Sequence, residues 1–269
     1  MIGFFQLRAM IHFSDPIVYE DDDPLKKLRY LLDSFSNRFK EIYQPEEYIS
    51  VDEYLSLWTG RLRFRIYIPT KRERYGVKIF MICESASGYL LDFIIYTGSS
   101  TVYRYSGPNL PKTFEEYKSP SKVVLSLIEP YLNKGYKLAV DNYYTSPELL
   151  KALLTVRTDA YGTLRNKEGL LKDFWNWKPV KGDPPIVKYA GDIMLMRWND
   201  NNKEKTTKIV SMMSTIHIGE VIDSGKLNRN KDVIYKPDVI VLYNKTMGGV
   251  DTLSRVLIPY SSQGRRLKW

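Results

Sequence analysis

The chain has 269 residues, enough for one large domain or two smaller ones, and its 43% hydrophobic content supports a real buried core. Forty Lys and Arg against 31 Asp and Glu leave a charge of +9, which favours polyanionic partners, nucleic acid first and anionic membrane second; no run of about 18 apolar residues provides a bilayer span. The single cysteine, Cys83, excludes an internal disulfide and a cysteine-built zinc site, and the broken apolar stretch MIGFFQLRAMIHFSDP does not read as a signal peptide, so an intracellular protein is expected.

In chain order, the first predicted element is an amphipathic helix. Leu25, Leu28, Leu31, Leu32, Phe35 and Phe39 recur at spacings of three and four, with Lys26, Lys27, Arg29, Arg38 and Lys40 on the other face. The acids of residues 20–23 precede it, where they suit the positive end of its dipole. From Val77 the pattern turns to strands: VKIFMIC (77–83), YLLDFIIY (89–96) and TVYRY (101–105), read as a meander. A helix over 121–132 follows, with Gly135 past its end and Pro130 kinking its last turn.

Next comes KLAVDNYYTSPELLKALL (137–154): a strand at Leu138–Val140, Ser146 as N-cap, Pro147 in the first helical position, and a leucine face. A strand at 159–164 completes a β-β-β-α-β-α-β order, an α/β layout with an antiparallel start. Residues 166–237, rich in Trp and Pro, contain strand candidates at 186–198 and 206–216 and read as an inserted β-ribbon module. VIVLY (239–243) reads as the last core strand, and Gly248-Gly249 lead into a helix carrying Val250, Leu253 and Leu257.

Three carboxylates stand out by position. Glu84 closes the first predicted core strand, Asp141 closes the fourth, and Asp251 opens the helix after the inserted stretch. Taken singly, each also reads as an ordinary turn or cap residue. With the first and fourth strands paired, Glu84 and Asp141 converge. Clustered carboxylates resist joint ionisation unless divalent cations neutralise them, and two magnesium ions held there suit phosphoryl transfer. His12 and His217 lack companions at ligand spacing, and Trp58, Trp175, Trp177 and Trp198 read as packing residues.

The segments MIHFSD, YISVDEYLSLWTGRLRFRIYIP, RYGVKIFMICESASGYLLDFIIYTG, KGYKLAVDNYYTSPELL, YGTLRN and YNKTMGGVDTL together resemble the piggyBac transposase family, in particular its transposable-element-derived, domesticated-type members. The resemblance implies an RNase H-like DD[E/D] core with a β-rich insertion domain and an N-terminal helical region. It divides the chain into 1–76 (helical, dimerisation or DNA-binding), 77–165 (first part of the core), 166–237 (insertion), 238–260 (last strand and helix of the core) and 261–269 (truncated basic tail). It places the catalytic, metal-binding acids on Glu84, Asp141 and Asp251, with Ser254 where family members often carry a further acid. Implied with these are two Mg2+ ions, no structural zinc in this chain, no small-molecule cofactor, cleavage and strand transfer at transposon ends with TTAA targets, DNA as partner, a homodimer on it, no membrane association, and a nuclear location. DNA contacts are expected from Lys71, Arg72, Arg74 and Lys78, from Arg165 and Lys167, and from Arg265, Arg266 and Lys268, although each cluster also reads as a solvated face. Two functions remain open: a metal-dependent transposase, or a DNA-binding or chromatin-associated protein that kept the fold and lost catalysis, which Glu84 and Ser254 favour.

Overall fold

The computed structural model describes residues 22–58, 60–69, 74–165, 172–180, 182–200 and 209–260. Its centre is β1 (Tyr48–Leu57), whose alternation of β-branched and polar residues makes a two-faced strand with Ile49 and Val51 fully buried. On one side β1 runs antiparallel to β3 (Tyr75–Glu84), pairing Ser50 with Cys83 and Asp52 with Met81. On the other it runs parallel to β5 (Lys137–Val140), pairing Val51 with Val140. β4 (Leu90–Ile95) continues antiparallel from β3, and β6 (Asp159–Thr163) continues parallel from β5, giving the order β4-β3-β1-β5-β6.

The parallel pairs require crossovers, and two helices supply them. α2 (Ser119–Ile128) leads into β5, and α3 (Pro147–Thr155) joins β5 to β6; the Ser146 hydroxyl caps α3 by accepting from the Leu149 N–H at 3.2 Å. Their apolar faces, including Val124, Leu127, Leu149 and Leu153, bury one face of the sheet together with Ile49, Val51, Phe80, Ile82, Leu138 and Val140. The other face carries Ser50, Asp52, Met81, Cys83 and Ala139 and is covered by α5 (Asp238–Thr246) and α6 (Gly249–Leu257). α1 (Arg29–Ile42) lies along the β4 edge, with Lys40 paired to Asp92 at 3.0 Å.

Several expected elements take another form. The helical reading of residues 1–76 holds for α1 but not for 48–57, which is the central strand. TVYRY follows a short 3-10 turn (Gly98–Ser100) and pairs with no strand; Tyr103 and Tyr105 pack instead against the core. VIVLY is helical and lies in α5, where Asp238 sits in the first turn and Pro237 precedes it. The 186–198 stretch is a hairpin of β7 (Ile186–Ala190) and β8 (Ile193–Asn199), closed by a two-residue turn with Gly191 at φ +61°.

Residues 166–237 are likewise not a module standing apart from the sheet. β9 (Ile209–Ser214) pairs antiparallel with both β8 and β6, so the main sheet runs on as β6-β9-β8-β7. Only β10 (Val221–Leu227) and β11 (Val233–Pro237) form a separate two-stranded ribbon. The short α4 (Lys172–Asn176) sits near β8, where Arg197 donates to the Phe174 carbonyl at 3.0 Å. β2 (Ile66–Tyr67) adds to the far end of β3.

Candidate functional site

The segment KLAVDNYYTSPELL places Asp141 by strand parity. Leu138 and Val140 point to the face packed by α2 and α3, so Ala139 and Asp141 point to the opposite face. The turn that follows is fixed on Asp141, whose carbonyl accepts from the N–H groups of Tyr144 and Thr145, both at 3.0 Å. Its Oδ1 accepts from the Asn142 N–H and, at 3.3 Å, from the Thr163 hydroxyl on β6.

The acid beside Asp141 is Asp52. The parallel pairing of β1 with β5 ends at Val51–Val140, and Asp52 and Asp141 are the residues that follow on each chain segment, on the same face of the sheet. Asp52 is mostly buried, and burial is the first cause that pushes its carboxyl up to about 6; the charges of Glu53, Asp141 and Asp251 add to the shift, opposed by the Glu53 N–H at 2.8 Å. The same gathering is felt by Tyr243 of α5, whose hydroxyl is pushed up to about 12 by burial and by Asp141 and Asp52. Neither Asp52 nor Tyr243 was singled out from sequence.

Glu84 is placed elsewhere. Following Phe80 and Ile82 on β3, it turns to the α2–α3 face of the sheet, away from Asp141 and Asp251. It is 2% exposed and is held by three donors: the Tyr43 hydroxyl and the Glu46 N–H, each at 2.8 Å, and the Ser87 hydroxyl. Burial pushes its carboxyl up, but these hydrogen bonds outweigh that effect and the net shift is downward. This is a structural tie between the segment after α1 and the end of β3.

Asp251 lies exposed in the first turn of α6, where a carboxylate suits the helix dipole. Its helix packs on β1 and β3, and its charge is among those that raise Asp52. The close approach depends on Gly249: a Cβ there would fall 2.5 Å from Ser50 Oγ and 2.8 Å from the Glu84 carbonyl oxygen. Gly249→Ala is therefore expected to destabilise the fold by about 1–3 kcal/mol, measured by urea unfolding; unchanged stability would show that α6 does not need this contact. Ser254 donates back to the Val250 carbonyl at 2.8 Å.

The donor set Asp52, Asp141 and Asp251 is all oxygen, which suits a hard divalent cation. Among the described residues, no three His, Cys, Asp or Glu side chains already stand within reach of one metal ion. The acids are gathered without being closed on one another, and their charges add to the burial that raises Asp52.

Of the expected DNA contacts, Arg74 and Arg165 are exposed. Lys78 is not free for that role: its Nζ lies 4.8 Å from the Phe80 ring, 5.0 Å from the Tyr143 ring and 3.6 Å from Glu53, on the face away from the acids. Lys71, Arg72, Lys167, Arg265, Arg266, Lys268 and His12 lie outside the described residues. His217 is bonded to Ser214 at 2.7 Å, and Tyr144 is buried against Phe80. A groove of about 390 Å³ between α1 and β4 lies apart from the acids. Its charges pair internally, Arg29 with Asp23 at 2.8 Å and Lys40 with Asp92 at 3.0 Å, so it reads as a solvated seam.

Three comparisons bear on this arrangement. The family description Transposase IS4 matches residues 4–269. Human PiggyBac transposable element-derived protein 3 is 28% identical over 99% of this chain and 44% of its own length; human PiggyBac transposable element-derived protein 2 is 22% identical over 97% and 43%. The chain thus spans less than half the length of these relatives. A cryo-EM structure of the piggyBac transposase synaptic complex with hairpin DNA superposes with a TM-score of 0.78 at 25% identity, covering 99% of this chain and 52% of that one. The nearly full-length family match, the relatives and the shared mixed α/β architecture agree, and this chain belongs to the Transposase IS4 family, in its piggyBac-type branch.

Proposed function

We propose that this chain is a transposase-derived, metal-dependent DNA-processing protein. In this reading β4-β3-β1-β5-β6 with α2 and α3 is an RNase H-like core, and the strands from β7 to β11 are its insertion. The observation that carries the reading is that Asp52 and Asp141 follow the last β1–β5 pair on one face of the sheet, and that the charges of both Asp141 and Asp251 act on Asp52. Asp52 takes the place that the sequence reading gave to Glu84. DNA as partner is supported by the +9 charge and by the superposed transposase, which was solved with hairpin DNA.

The residues divide the work as follows. Asp52 on β1, Asp141 after β5 and Asp251 on α6 would hold one or two Mg2+ ions. A bound divalent ion would lower the nucleophile's pKa and neutralise charge on the phosphate being cleaved. Thr163 and the Asn142 N–H keep the Asp141 carboxylate oriented. Cleavage by water or a 3′-hydroxyl needs no protein nucleophile. Action at TTAA targets, a dimer on DNA and a nuclear location follow from the kinship alone.

A second reading is DNA binding without catalysis. It is favoured by Ser254, a neutral residue whose hydroxyl is committed to Val250, and by the open arrangement of the acids. A nicking assay on a transposon-end duplex with Mg2+ or Mn2+ decides between them. Metal-dependent cleavage lost in Asp141→Ala supports the enzyme; salt-sensitive binding with no cleavage at any metal concentration supports the second reading.

A further inference from the structure

The segment leading into β2 has a row of outward side chains that the acid site does not use. In RLRFRIY (61–67), Leu62, Phe64 and Ile66 turn inward, while Arg61, Arg63, Arg65 and Tyr67 are exposed. Across the β2–β3 pair Tyr67 faces Tyr75. Their rings lie 4.7 Å apart at 35°, and both are about half exposed, 51% and 46%. The Arg65 guanidinium lies 5.0 Å from the Tyr75 ring centre. Among the described residues of this stretch Arg61, Arg63, Arg65 and Arg74 are exposed, so the surroundings suit a polyanion.

Strand parity places this aromatic step on the same face as the acids. Tyr75 shares its side of β3 with Met81, which pairs with Asp52. Six residues separate them, about 20 Å at 3.3–3.4 Å per residue. Val77 and Ile79, between them on this side, are packed under Leu62, Phe64 and Trp58, so a DNA strand from the acids would pass outside that segment to reach the tyrosines.

We propose that Tyr67 and Tyr75, with Arg65 beside them, form a stacking platform for an unpaired base of DNA, so that the protein engages single-stranded DNA flanking the site of cleavage. Exposed aromatic faces within a basic row are what sequence-tolerant single-strand binding requires. This deepens the proposed DNA-processing role and rests on it for the identity of the ligand.

The test uses the full chain with a fluorescent single-stranded oligodeoxynucleotide, the matching duplex and the matching RNA. Tyr67→Ala combined with Tyr75→Ala is expected to weaken single-strand DNA binding tenfold or more, at roughly 5- to 150-fold per stacked base, with duplex affinity changed less than about twofold. The Phe pair should bind like wild type, because stacking needs the ring and not the hydroxyl; its melting temperature also controls for folding. Equal losses on single strand and duplex, Phe variants as weak as the Ala variants, or tighter binding to RNA than to DNA would each overturn the proposal. Failure of the nicking assay removes the catalytic reading, whereas retained single-strand affinity in the Ala pair removes this one, and each outcome is read independently.

Discussion

Asp52→Asn is expected to lower the proposed metal-dependent strand cleavage by about 1,000-fold or more and, at pH 7 without metal, to raise the melting temperature. The first effect follows from removing a fixed metal-binding carboxylate, since a metal contributes several kcal/mol of charge stabilisation and each 1.36 kcal/mol is tenfold in rate. The second follows from linkage. Burial and the nearby acids raise Asp52 from 3.8 to about 6. Between these values the folded protein binds more protons than the unfolded chain, so stability falls as pH rises from about 4 to 6, by roughly 3 kcal/mol in all. Asn removes the charge and with it most of that loss, which corresponds to several degrees in a chain of this size. Mg2+ or Mn2+ should stabilise wild type at pH 7 much more than at pH 4.5, and Asp52→Asn should lose that difference. Melting curves from pH 4 to 8, with and without metal, measure all of this; a variant that keeps both the pH slope and the cleavage would remove Asp52 from the site.

Glu84→Ala should have the opposite profile. It costs about 3 kcal/mol of stability, because the Tyr43 hydroxyl, the Glu46 N–H and the Ser87 hydroxyl lose a buried acceptor together. At a temperature where the variant remains folded, metal-dependent stabilisation persists, since Glu84 points to the other face of the sheet. The pH dependence also runs the other way. The Glu84 carboxyl is held below its usual 4.5, so its contribution is present above that value and is lost as pH falls through the folded pKa. Urea unfolding at pH 7 and pH 3.5 should show a difference between wild type and Glu84→Ala that shrinks at the lower pH. A variant as stable as wild type at pH 7 but unable to respond to metal would restore Glu84 to the metal site.

The contrast between these two acids shows how far the sequence could be read. Apart from TVYRY, the strands and helices from Val77 to Thr163 and the N-cap Ser146 are legible because apolar period and capping chemistry are local. Position at a strand end ignores which side a residue faces, and Glu84 faces away from Asp141. Parity was available: Phe80 and Ile82 are apolar partners of Glu84, just as Leu138 and Val140 are the inward partners that leave Asp141 on the other side. Asp52 was hidden because YISVDEYLSL follows a strong helical stripe and was absorbed into it, although its alternation suits a strand. VIVLY shows the reverse error. Its β-branched residues favour a strand, but it packs as a helix between Pro237 and Thr246, whose hydroxyl meets Tyr161 at 2.7 Å in the core. That the sheet runs on through β9 depends on the pairing of Tyr161 with Ser214, 53 residues away, which no local pattern contains.

The way the three carboxylates are mounted has a consequence for ion choice. Asp52 lies in β1, within its ladder to β3, and Asp141 directly follows β5, so main-chain pairing fixes the backbone near both. Asp251 is carried on α6, which is seated on the sheet by Val250 and Leu253 against Met81 and Cys83 and by the close approach of Gly249 to Ser50. In the proposed metal-binding role, the reach of Asp251 to a cation would therefore depend on how α6 is seated, and a substitution at that seat would alter the range of ions accepted without touching a ligand.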